Sequence, residues 1–164
     1  MEINLMNRGT VLYAEDDEND AFLMERAFRK AEFPNLKMVS DGQGAVDYLR
    51  AASANEDRAA YPLPFLVLLD INMPHLSGLE ALAWIRQQPG YEDLPVVIFT
   101  SSTQEKDFRT AYSNGATAYV VKPNNAAALV EIARTLRGLS LAESVTTADC
   151  TRLPGYQPPA ISPV

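Results

Sequence analysis

Short unbroken apolar runs alternate along the chain with longer stretches whose apolar residues recur at helical spacing. Thr10-Val11-Leu12-Tyr13-Ala14, Phe65-Leu66-Val67-Leu68-Leu69, Val96-Val97-Ile98-Phe99-Thr100 and Thr117-Ala118-Tyr119-Val120-Val121 lack the in-out alternation of a half-exposed strand. They predict strands buried on both faces, as in a parallel sheet. Residues 36–39 form a briefer strand between the first two. Leu23, Met24, Ala27, Phe28 and Ala31 then make one face of a helix, with Phe22 off the stripe. Similar stripes carry Ala45, Val46, Tyr48 and Leu49; Leu79, Leu82, Ala83 and Ile85; Phe108, Ala111 and Tyr112; and Leu129, Ile132, Ala133 and Leu136. Five units of strand followed by helix predict a doubly wound α/β fold, a five-stranded parallel sheet in a three-layer αβα sandwich.

The remaining segments bound that unit. Residues 1–9 read as an extension and residues 10–137 as the folded domain. Residues 53–64, rich in Ser, Asn, charged residues and proline, read as a surface loop. Beyond Gly138 the chain holds Pro154, Pro158, Pro159 and Pro163 and no periodic stripe. Residues 138–164 are therefore expected to be a loose proline-rich tail, with Leu139, Leu141 and Val145 available for local packing and no output domain.

Composition narrows the classes of function. A net charge of −7, spread over the domain and not gathered in a tail, argues against binding nucleic acid or anionic membrane by bulk electrostatics. One His and one Cys leave no zinc site of the usual kind and no internal disulfide. His75 reads as a solvated loop imidazole, and Cys150 as a lone thiol in the tail. The start Met1-Glu2-Ile3-Asn4 lacks a signal peptide's basic and apolar regions, so a cytoplasmic location is expected.

The chemistry gathers where the strands stop. Glu15 and Asp16 follow the first strand, Asp70 the third, Thr100 ends the fourth and Lys122 follows the fifth. Open α/β sheets bind ligands at that edge. Three carboxylates brought together repel one another unless a cation joins them, and an all-oxygen set with few protein ligands suits Mg²⁺. A carboxylate beside a metal and a lysine can attack a phosphoryl group and become an acyl phosphate. No residue stands out as a general base, which argues against rapid hydrolytic turnover.

These motifs, Glu15-Asp16, Asp70-Ile71-Asn72-Met73-Pro74 with Gly78, Thr100-Ser101, and Ala118-Tyr119-Val120-Val121-Lys122-Pro123, resemble those of the receiver domain of two-component response regulators. The resemblance spans residues 10–137 and implies the flavodoxin-like strand order 2-1-3-4-5. It implies Asp70 as phosphoacceptor, and Mg²⁺ held by Asp16 and Asp70 side chains, by Glu15 through water and by the Asn72 backbone carbonyl. Thr100 and Tyr119 would be switch residues, Tyr119 swinging inward as Thr100 moves. Lys122 would pair with the phosphoryl group, across a Lys122–Pro123 bond expected to be cis. The long 53–64 loop and Asn72 resemble stand-alone regulators served by phytochrome-type histidine kinases. A histidine kinase or phosphotransfer protein is thus the implied partner, and the activity is phosphoacceptance with slow self-dephosphorylation.

The residues leave alternatives open. Three acids follow Ala14, so the acidic pair is Glu15-Asp16 or Asp16-Asp17, and the former directly follows the strand. A pseudo-receiver that only binds partners and an aspartyl-nucleophile phosphatase are rival readings, and homodimerisation through the fourth helix stays open. Phe22 is either an anchor for a docking kinase or an ordinary exposed side chain.

Overall fold

The computed structural model describes residues 9–54 and 57–159. Its elements run β1 (Thr10–Ala14), α1 (Glu18–Lys30), β2 (Leu36–Val39), α2 (Gly42–Ala54), β3 (Pro64–Leu69), α3 (Gly78–Arg86), β4 (Val96–Thr100), α4 (Glu105–Ser113), β5 (Ala118–Val121), α5 (Ala126–Leu139), α6 (Thr147–Cys150) and β6 (Tyr156–Gln157). The sheet order is β2-β1-β3-β4-β5-β6, with the first five strands parallel.

Alternate residues of each strand feed opposite faces of the sheet. Leu12, Ala14, Val67, Leu69 and Ile98 face α2, α3 and α4, packing with Leu49, Leu82, Ile85 and Ala111. Val11, Tyr13, Leu66, Leu68 and Phe99 face α1 and α5, packing with Met24, Phe28, Ile132 and Leu136. Each large aliphatic side chain so buried stabilises the fold by about 1.5–3 kcal/mol. Local chemistry sets the helix starts. The Asp17 side chain accepts the Asp20 N–H at α1, Ser77 and Glu80 form a reciprocal capping box at α3, and Asn125 caps α5.

Two expectations are corrected. The sheet has six strands, because β6 returns antiparallel along β5, pairing Tyr119 with Gln157 and Val120 with Tyr156. The tail is accordingly not loose over its described part. Cys150 and Leu153 are buried in the α1–α5 layer, and Gly155 adopts φ +89° while its carbonyl accepts the Val121 N–H at 3.0 Å. Short contacts to an open strand edge replace the periodic stripe that would have advertised an element. Residues 160–164 lie outside the described residues. Secondly, no described peptide bond is cis, so Lys122–Pro123 is trans, the form an X–Pro bond favours by about 0.5–1 kcal/mol. No helix among the described residues is long and apolar enough to cross a membrane.

Candidate functional site

Parallel pairing of β1, β3, β4 and β5 brings their carboxyl ends to one edge. Glu15, Asp16 and Asp70 meet there, each offering a carboxylate oxygen within 4.8 Å of the others. Asp17 stands apart from this group, since its side chain is committed to the cap of α1. Asp70 follows the last residue of β3 and is buried. Its Oδ1 accepts the Ile71 N–H at 2.7 Å, and its own N–H donates to the Ala14 carbonyl at 3.2 Å. The turn after it is pinned by the Gly78 N–H donating to Ile71 O at 3.0 Å. Asn72 lies exposed in that turn, as does His75.

Lys122 reaches the carboxylates from the end of β5. Its Nζ donates to Glu15 Oε2 at 2.7 Å, Asp20 Oδ2 at 2.9 Å and Asp70 Oδ2 at 2.9 Å. Burial alone would lower its pKa, but the hydrogen bonds to Glu15, Asp70 and Asp20 outweigh that and hold it above the ordinary lysine value. Glu15 also accepts from the Tyr13 hydroxyl at 3.1 Å and the Asp17 N–H at 3.1 Å. Burial pushes Glu15 up to about 7, with Lys122 opposing the shift and the charge of Asp70 adding to it. Burial and the Glu15 carboxylate likewise keep the Tyr13 phenol well above its usual range. The donor set is hard, anionic and crowded, and it fits a divalent cation of the Mg²⁺ type.

Thr100 and Tyr119 lie one strand apart and are both fully buried. They are joined through one residue. The Ser102 N–H donates to Thr100 Oγ1 at 3.4 Å, and the Ser102 carbonyl accepts the Tyr119 hydroxyl at 2.9 Å. The Tyr119 ring meets Phe108 of α4 edge-on, with centroids 4.5 Å apart. On its other side, the Tyr119 N–H donates to the Tyr112 hydroxyl, which donates to the Gln157 carbonyl of β6. Phe22 stands exposed on the outer face of α1, beside Arg26, Arg29 and Lys30.

Sequence reasoning missed Tyr13, Asp20 and Ser102. Tyr13 was signalled by its i−2 spacing from Glu15, which puts both side chains on one face of an extended chain. Asp20 reads in sequence as an acid favouring the first turn of a helix, and nothing local points it at a lysine 102 residues away. Ser102 reaches Thr100 and Tyr119 through its backbone N–H and carbonyl, contacts that leave no residue-type signal.

Comparison with known proteins finds similar chains among response regulators. Response regulator Rcp1 of Synechocystis sp. is 31% identical over 137 residues, 83% of this chain and 90% of Rcp1. The crystal structure of response regulator RPA3017, in red light signaling of R. palustris, superposes with a TM-score of 0.72 at 36% identity, covering 84% of this chain and 96% of that one. The phosphorylated cyanobacterial phytochrome response regulator RcpA gives a TM-score of 0.70 at 30% identity, covering 84% of this chain and 97% of that one. The family model of the response regulator receiver domain matches residues 11–134, and the chain belongs to that family.

Proposed function

We propose that this chain is a phytochrome-type response regulator that receives a phosphoryl group from a histidine kinase on Asp70. The observation that carries this reading is the meeting of Asp70 with Glu15, Asp16 and Lys122 at one sheet edge. Asp70 is anchored by the Ile71 N–H and by Lys122, so its carboxylate is fixed before any donor arrives. Lys122 supplies a point charge toward the phosphoryl oxygens. The side chains of Asp16 and Asp70, Glu15 through water and the Asn72 backbone carbonyl would hold Mg²⁺. When bound, the ion neutralises charge on the phosphoryl oxygens. Among the described residues the hydrogen-bond donors on the Asp70 side chain are the Ile71 N–H and the Lys122 ammonium, neither of them a base, which supports a domain that loses its phosphoryl group to water slowly and stores a signal.

The output runs through Thr100 and Tyr119. A phosphoryl oxygen on Asp70 gives the Thr100 hydroxyl a new acceptor, and the Ser102 segment that bridges Thr100 to Tyr119 follows it. That biases a pre-existing equilibrium of the face made by α4 and β5. The likeness to the red-light and phytochrome regulators supports a kinase of the phytochrome type as partner. The test is transfer of label from an autophosphorylated phytochrome-type histidine kinase. Transfer that needs Mg²⁺, stops with chelator and is absent from Asp70→Asn supports the reading. Label retained by Asp70→Asn would refute it.

A further inference from the structure

The Lys122 ammonium has three N–H donors, and the structure engages all three with carboxylates, on Glu15, Asp70 and Asp20. An oxygen of an arriving phosphoryl group therefore meets Lys122 only by displacing one of them. Glu15 is poorly placed to yield. Its side chain is 1% exposed and is also held by the Tyr13 hydroxyl and the Asp17 N–H. Asp70 bonds Lys122 through Oδ2 while the Ile71 N–H holds its Oδ1, and it keeps the lysine for as long as it is the anionic carboxylate that a donor approaches. Asp20 differs on both counts. Its side chain is 39% exposed, and among the described residues Lys122 is the partner its carboxylate contacts. Returning it to water costs least.

We infer that Asp20 is a positioning residue, a placeholder that occupies the phosphoryl-binding N–H of Lys122 and must leave it when Asp70 is phosphorylated. The inference rests on the phosphoacceptor reading above. In the step concerned, an Asp70 carboxylate oxygen forms a bond to phosphorus of an acyl phosphate. The bond from phosphorus to the acyl oxygen breaks, and the carboxylate leaves with that electron pair, so no proton is required. Asp20 opposes the step twice, by holding the lysine and by placing a negative charge beside the incoming anion.

The test uses the full chain with Mg²⁺ and acetyl phosphate, the adduct being followed by intact mass in wild type, Asp20→Ala and Asp20→Glu. Asp20→Ala is expected to accelerate adduct formation about two- to fivefold, the range an exposed ion pair of this kind spans. Asp20→Glu, which restores a carboxylate, returns the rate toward wild type. The advantage of Asp20→Ala shrinks as salt rises from about 0.05 M to about 0.5 M, since a charge effect is screened and a packing effect is not. A second readout needs no metal. Acylation of Lys122 by an amine-reactive ester, referenced to Lys30, Lys37 and Lys106, increases severalfold in Asp20→Ala. Wild type that forms an adduct while Asp20→Ala is equal or slower overturns the placeholder alone, as does Lys122 acylation unchanged by the substitution. Wild type that forms no adduct overturns the phosphoacceptor reading, and the placeholder with it.

Discussion

A Cβ added at Gly78 would stand 1.8 Å from the carbonyl oxygen of Asp70. The first residue of α3 therefore lies directly against the backbone of the proposed phosphoacceptor, and the Gly78 N–H donates to the next carbonyl, that of Ile71. Only a residue without a side chain permits that approach. Gly78→Ala is expected to push the turn after β3 outward, at a cost of about 1–3 kcal/mol. In thermal unfolding this lowers Tm by about 2–4 °C for each kcal/mol in a chain of this size. Adduct formation on Asp70 falls as well, because the carboxylate moves with its backbone.

Tyr119 is held inward by two contacts, its hydroxyl on the Ser102 carbonyl and its ring on Phe108. An edge-to-face aromatic pair contributes about 0.5–1.5 kcal/mol beyond its buried area. A double-mutant cycle of Phe108→Ala and Tyr119→Ala, read by urea unfolding, should return a coupling of that size. Coupling near zero would mean that α4 does not sense the tyrosine, and the proposed output route would fail.

Cys150 tests the docking of the tail. It is fully buried in the α1–α5 layer, and burial pushes its thiol up to about 11 from an ordinary 9.0, with Asp149 adding to the shift. The native state thus keeps this proton after the unfolded chain has lost it. Its contribution to stability is complete below pH 9 and is lost as pH rises through 9 to 11, by about 2–3 kcal/mol at the upper end. Cys150→Ala should remove that slope. Tyrosines such as Tyr48, raised by burial to about 12, are common to both proteins and cancel in the comparison. Native protein at pH 8 should also resist thiol reagents until denatured.

What could be read from the sequence follows from how each element is stabilised. β1, β3, β4 and β5 are buried on both faces, so their apolar runs state both the strand and the parallel sheet. α1 buries one face, so Met24, Ala27 and Phe28 mark it and Phe22 falls outside. β6 spans two half-buried residues and exists because β5 offers an open edge, a reason that lies outside its own residues. The site divides in the same way. Glu15, Asp16, Asp70, Thr100 and Lys122 were legible because strand ends in a doubly wound sheet converge. Asp20 and Ser102 were not, because one reaches the site by a side chain crossing from a helix and the other works through its backbone.

Phosphoryl acceptance by Asp70 underlies both the proposed switch and the role of Asp20. The most direct measurement is the intact mass of the full chain after incubation with Mg²⁺ and acetyl phosphate, with Asp70→Asn alongside. One added phosphoryl group is expected on wild type, removed by hydroxylamine as an acyl phosphate is, and none on Asp70→Asn. A folded wild-type chain that gains no mass at any donor concentration, or an adduct that persists in Asp70→Asn, would contradict it.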